Sequence, residues 1–179
     1  MESKGKKVVQ TREPGWGKLG KQIREIILDD ESIEIEPFAE LCLFCADRAQ
    51  HVKEFIKPNL DAGKIVICDR YSDSTFIYQG YGRQLDINQV KQMADASRLN
   101  IVPDITFFLS LPAEVGLKRL QKRDEITKMD NEPVEFHKRI LQGYKRLAET
   151  ETDRFVVINA DDTIEQIHKD IINSLKNKI

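Results

Sequence analysis

The sequence predicts an α/β fold, a mostly parallel sheet with helices on both faces. Short apolar runs recur at Val8-Val9-Gln10, Ile65–Cys68, Ile105–Leu109 and Phe155–Ile158. Longer stretches with apolar residues three and four apart fill the intervals, and strands alternating with such helices favour parallel crossovers over hairpins. The run Ile65-Val66-Ile67-Cys68 is continuous rather than alternating, the pattern of a strand covered on both faces. A length of 179 residues suits one domain with a sizeable core, so residues 1–179 are expected to form a single domain.

The elements follow in order. Val8-Val9-Gln10 is cut off by Thr11-Arg12-Glu13-Pro14-Gly15, where proline and glycine mark a loop. Lys18 to Leu28 has amphipathic helical spacing, with Leu19, Ile23, Ile26 and Ile27 inward. Asp29 to Glu36 is an acidic run, expected as a solvated linker. Pro37 suits the first turn of a long helix over 38–56, whose apolar face holds Leu41, Phe44, Cys45, Val52, Phe55 and Ile56. Pro58 and Gly63 then turn the chain into the Ile65–Cys68 strand.

Asp86-Ile-Asn-Gln89 has the spacing of a capping box, and its helix turns Val90, Met93, Ala94 and Ala96 inward. After the Ile105–Leu109 strand, Pro112 starts a helix through Arg123 that buries Val115, Leu117 and Leu120. The stretch 122–133 is charged and aperiodic, and is expected as a mobile loop. Val134 to Glu149 is helical through Phe136, Ile140, Leu141, Tyr144 and Leu147. A second capping box, Asp162-Thr-Ile-Glu165, follows the last strand and places Ile164, Ile167, Ile171 and Leu175 inside.

Composition excludes several classes. Hydrophobic residues are 40% and charged residues 32%, a soluble globular balance. A net charge of -2 gives no strong pull toward nucleic acid or an anionic membrane, and no apolar run is long enough to span a bilayer. The three cysteines, an odd number, argue for a reducing compartment, so the cytoplasm is expected. Cys42 and Cys45 lie inside a predicted helix without a second pair, and packing is the expected role. His51 and His137 stand among polar residues and are expected at the surface.

Four constellations remain: Thr11-Arg12-Glu13-Pro14-Gly15; Phe44 with Asp47-Arg48; Asp69-Arg70-Tyr71 with Ser74, Tyr78 and Gln79; and the charged stretch Arg119, Lys122, Arg123, Lys128, Asp130 and Glu132. In open α/β sheets ligands bind beyond the carboxyl ends of strands, where two of these groups fall. Arginines gathered there suit an anion, because guanidinium grips phosphate bidentately. A phenylalanine one helical turn from an arginine suits a flat ring with polar edges.

Taken together and in register, Thr-Arg-Glu-Pro-Gly, Leu-Phe-Cys-Ala-Asp-Arg-Ala-Gln-His, Asp-Arg-Tyr-x-Asp-Ser-x-x-x-Tyr-Gln-Gly and Pro-Asp-Ile-Thr resemble bacterial thymidylate kinase from Val8 to the C-terminus. The resemblance implies a P-loop kinase-like sheet and transfer of the γ-phosphoryl group of ATP to dTMP with Mg²⁺. Phe44 then matches the residue stacking on thymine and Arg48 the donor to the base edge. Ser74 and Gln79 match base contacts, and Tyr78 an aromatic on the nucleoside that crowds the sugar 2′ position. Arg12 and Arg70 match phosphate-holding arginines, and Asp69 the acid near the metal and its water. Lys122 and Arg123 belong to a lid at about 119–133, Arg123 among the catalytic cations. Arg119 and Lys122 are expected on the ATP side with Asn159 and Ala160, which resemble the adenine loop. A homodimer is also implied, with small nucleotides as the other partners.

Two departures accompany the resemblance. Gly15-Trp16-Gly17 stands where the family usually reads Gly-Gly-Thr. The motif G-x-x-x-x-G-K-[ST], which holds ATP phosphates, does not occur in these residues, and residues 1–8 resemble the end of the helix that follows it. The first, central strand of the sheet is thus expected to be missing, leaving a gap between the strands at Ile65–Cys68 and Ile105–Leu109. Three readings follow: a truncated form of an ordinary dTMP kinase, a P-loop-less dTMP-binding protein without turnover, or a kinase for another nucleoside monophosphate.

Overall fold

The computed structural model describes residues 5–120 and 126–176. They fall into two compact units: residues up to Val102 with Thr127–Met129, and Pro103–Ile126 with the chain from Asp130 onward.

In the first unit, β1 (Val8–Arg12) pairs in parallel with β2 (Ile65–Asp69), Val8 opposite Ile65 and Arg12 opposite Asp69. α1 (Gly17–Arg24) runs into a π-helical turn at Glu25–Asp29. Its buried residues are Gly20, Ile23, Ile27 and Leu28; Ile23 and Ile27 are inward as expected, while Leu19 is exposed and Ile26 half-buried. α2 (Pro37–His51) begins where sequence places it: Pro37 takes the first turn, and Glu36 Oε2 accepts from Phe38 N at 2.7 Å and Ala39 N at 3.1 Å. It continues through a π turn, Val52–Ile56, into α3 (Lys57–Asp61). Val52, Ile56 and Tyr71 form a buried cluster against Val66 and Cys68.

α4 (Ser72–Thr75) and a π-helical stretch, Phe76–Gly82, follow β2. α5 (Ile87–Ser97) is capped as expected, Asp86 Oδ1 accepting from Gln89 N at 2.8 Å, with Val90 and Ala94 buried but Ala96 exposed.

The second unit pairs β3 (Thr106–Ser110) with β4 (Phe155–Asn159), again in parallel, between α6 (Ala113–Leu120), α7 (Val134–Thr150) and α8 (Ile164–Lys176). The cap of α8 is Thr163 rather than Asp162: Thr163 Oγ1 accepts from Gln166 N at 3.2 Å. Ile164, the first residue of α8, is 82% exposed instead of inside, while Ile167, Ile171 and Leu175 on the same face are half-buried.

Among the described residues the β1–β2 and β3–β4 pairs are two separate two-stranded sheets, one in each unit. Burial on both faces, expected of Ile65–Cys68, is not found: Ile67 is 52% exposed, and Leu109 and Val157 are exposed likewise. Each of these strands has one paired neighbour, and alternate side chains of such a ribbon leave the face its helices cover.

Candidate active site

The register of β1 against β2 builds the first part of the site. It sets Arg12 opposite Asp69 at the carboxyl ends of both strands, and Glu13 N extends the ladder by donating to Asp69 O at 2.9 Å. Arg12 and Asp69 are exposed, and among the described residues neither side chain makes a hydrogen bond or ion pair. Arg70 follows with φ 64°, a left-handed conformation that L residues rarely adopt. Its guanidinium lies over the Tyr78 ring, 4.8 Å from the centroid. Tyr71 anchors the turn, donating its hydroxyl to Ile101 O at 3.2 Å. Burial, then the Glu13 charge, pushes its phenol up.

α2 supplies the second part. Arg48 is 1% exposed. Its Nε sits 2.9 Å from Glu13 Oε2, one terminal nitrogen donates to Thr75 Oγ1 at 2.8 Å, and the other reaches Ser97 Oγ at 3.4 Å. The Glu13 contact is an ion pair without hydrogen-bond geometry, so the protein takes one N–H from each terminal nitrogen and leaves the other two terminal N–H groups, besides Nε–H, for another acceptor. Phe44, one turn earlier, is half-buried. His51, expected at the surface, is fully buried: Nδ1 meets Glu13 Oε1 at 2.9 Å and Nε2 meets Thr11 Oγ1 at 2.8 Å. Polar sequence neighbours hid this, because its partners lie some forty residues away. His137 is half-buried.

A third group joins Gln79, which sequence reasoning named, to Glu40 and Arg83, which it missed. Gln79, 1% exposed, donates Nε2 to Glu40 Oε1 at 2.9 Å, while Arg83 donates to both Glu40 oxygens at 3.1 and 3.0 Å. Glu40 stands one helical turn before Phe44, a spacing that could have flagged it. The Gln79 amide is thereby oriented with its Oε1 buried and unpartnered. An orphan acceptor of this kind costs about 1–3 kcal/mol and calls for a ligand or a water. Ser74 is half-buried on the same turn-rich segment.

The loop between β1 and α1 is tied to α2 by Asp47, whose Oδ1 accepts from Gly15 N at 3.2 Å. A methyl group at Gly20 would collide with that oxygen and with the Gly15 backbone, so glycine is required for the helices to approach. Burial, the largest influence, raises the Asp47 carboxyl above its usual range against the lowering effect of the Gly15 N–H. A raised carboxyl stabilises the fold only at low pH and loses that contribution as pH rises through its folded value. Asp47→Asn keeps the acceptor without the buried charge. It is expected to be more stable than wild type by about 1 kcal/mol at pH 7, with the gain shrinking as pH falls through the raised folded value and gone by about pH 4. Urea midpoints at both pH values check this, and an equal difference at both would refute it.

Glu13, His51 and Cys68 bring donor atoms within 4.8 Å of one another. Both His51 nitrogens and both Glu13 oxygens are already engaged. Burial and then Glu13 push the Cys68 thiol well up, and it donates to Arg70 O at 3.0 Å. The cluster is a hydrogen-bonded network rather than a metal centre. Burial likewise raises the half-buried Cys45 thiol; both cysteines are free, but Cys42 is exposed, so the expected packing role fails for it and is met only in part by Cys45.

In the second unit Arg119 donates to Ala160 O at 2.9 Å and to Asp161 Oδ1 at 3.2 Å, while Asn159 Oδ1 accepts from Asp161 N. Three expected ATP-side residues, Arg119, Asn159 and Ala160, thus meet at one loop. Lys122 and Arg123 lie outside the described residues. No helix among the described residues is long and apolar enough to cross a membrane.

A profile of the family described as thymidylate kinase matches residues 1–171. The thymidylate kinase of Sulfurihydrogenibium sp. is 42% identical over 99% of this chain and 86% of its own length. That of Maridesulfovibrio salexigens is 43% identical over 96% of this chain and 82% of its own. That of Lactobacillus acidophilus is 41% identical over 94% and 79%.

Proposed function

The chain belongs to the thymidylate kinase family, which has the P-loop kinase fold and phosphorylates dTMP to dTDP in nucleotide biosynthesis, and we propose how its residues divide that work. Arg12 and Arg70 hold the dTMP phosphate from the ends of β1 and β2. Phe44 stacks on thymine. Arg48 turns its two uncommitted terminal N–H groups to a base carbonyl, and the orphan Gln79 Oε1 accepts from the base N–H, with Ser74 beside it. Tyr78, itself against Arg70, packs on the sugar and crowds a 2′-hydroxyl.

Phosphoryl transfer needs positioning and charge stabilisation more than covalent chemistry, so arginines that converge on the acceptor phosphate supply much of it. Mg²⁺, the family's ion, neutralises phosphate charge when bound. Asp69 fits it through water, because its exposed carboxylate makes no hydrogen bond or ion pair among the described residues. ATP is the donor substrate, its adenine toward Arg119, Asn159 and Ala160, with Lys122 and Arg123 as lid cations. Residues 1–179 act as one domain, in a cytoplasmic homodimer.

The observation that carries this reading is the β1–β2 register, which puts Arg12, Asp69 and Arg70 at one edge. An ADP-release assay with dTMP, dUMP, dCMP and AMP as acceptors tests it. Thymine preference over dUMP is expected at about tenfold or more, the worth of one methyl in a fitted pocket. Equal turnover of dCMP or AMP would remove the base assignments. Tight dTMP binding with no ADP release would favour the binding-only reading.

A further inference from the structure

We propose that His51 is a positioning residue for Arg12, gripping both of its neighbours on one imidazole so that the guanidinium is presented to the acceptor phosphate. This rests on the reading of Arg12 given above. Thr11 and Glu13 flank Arg12, and His51 binds both side chains, Nε2 at 2.8 Å and Nδ1 at 2.9 Å. A carboxylate only accepts, so Nδ1 donates to Glu13 and, in the neutral ring, Nε2 accepts from the Thr11 hydroxyl.

Side chains alternate along an extended chain, so holding residues 11 and 13 inward turns residue 12 outward. The burial follows that alternation: Thr11 is half-buried, Glu13 buried and Arg12 exposed. Arg12 makes no hydrogen bond or ion pair of its own among the described residues, so its aim depends on the backbone that its neighbours fix.

The imidazole is in turn immobilised. Trp16 stacks on it at 5.4 Å and 25°, Phe55 at 5.7 Å and 21°, and Trp16 meets Phe55 at 5.1 Å. Trp16, the residue departing from the family pattern, therefore clamps the loop that carries Arg12 onto α2. Glu13 also ion-pairs with Arg48, so the same carboxylate joins the phosphate-binding loop to the base-reading helix.

Calorimetry with dTMP and with thymidine, which lacks the phosphate, separates positioning from general damage. His51→Ala is expected to lower dTMP affinity about tenfold, the effect of a small misplacement of a binding group, while thymidine affinity stays within about twofold. His51→Asn, which keeps a donor toward Glu13, is expected to lose less; it serves as the second variant where alanine does not fold. In an Arg12→Ala background either change should add no further loss. An equal loss for thymidine and dTMP, or the same loss with Arg12 already absent, would overturn the inference. Should Arg12→Ala alone leave dTMP affinity unchanged, the phosphate role of Arg12 fails, and the inference with it.

Discussion

Arg48→Ala is expected to destabilise the fold by about 3–5 kcal/mol, the cost of breaking a buried ion pair from one side. Its side chain is almost fully enclosed, and removal leaves Glu13 Oε2 with a buried charge and no cation. Thr75 Oγ1 and Ser97 Oγ lose a donor at the same moment. A domain of this size commonly has only about 5–15 kcal/mol in hand, so the loss is a large fraction of the whole. Adding Glu13→Gln should restore more than about 1 kcal/mol, because the stranded charge is then gone. Urea unfolding of the single and double variants measures both effects; a single-variant cost under about 1 kcal/mol would contradict the buried-pair account. Binding is better tested with Arg48→Lys, which keeps the charge but not the planar fork. Its dTMP affinity should fall at least about tenfold, and unchanged affinity would argue against a base-reading role.

That network marks the limit of what the sequence makes legible. Periodicity records which side of an element faces inward, and it placed Leu41, Val52, Ile56, Val90, Phe136 and Ile140 correctly. Local caps were equally readable at Asp86, where donor and acceptor are three residues apart. Buried polar residues defeat the same reasoning. Nothing near His51 says that Thr11 and Glu13 will meet it, and nothing near Gln79 points to Glu40. Such pairs are set by packing across the fold, and their polarity counts against burial in any hydropathy pattern. Arg12, Asp69 and Arg70 were legible for the opposite reason: they end apolar runs, and the end of a strand is where open sheets keep their sites. Leu19 is exposed because α1 turns the neighbouring Gly20 toward Asp47, about 100° round the helix, and Ile164 because it is the first residue of α8.

Arg70→Gly separates the chemical use of a residue from its structural cost. Arg70 holds φ 64°, which a non-glycine residue adopts at a cost of about 1 kcal/mol or more. Glycine removes that strain but adds about 0.4–1 kcal/mol of unfolded-state entropy, and the stacking on Tyr78 is lost as well. These terms nearly cancel, so stability should stay within about 1 kcal/mol of wild type. Binding should not. A charge-assisted bond to phosphate is worth about 1.5–3 kcal/mol, so dTMP affinity should fall by about 10- to 150-fold, with thymidine affinity little changed. Arg70→Asn, which tolerates the left-handed region, should show the same affinity loss, assigning it to the guanidinium rather than to backbone relaxation. Full dTMP affinity in either variant would mean that the strained turn serves the fold, through contacts such as that with Tyr78, and not the phosphate. The expected pattern, equal stability with lost phosphate affinity, would mean that the strain is kept because it aims a cation.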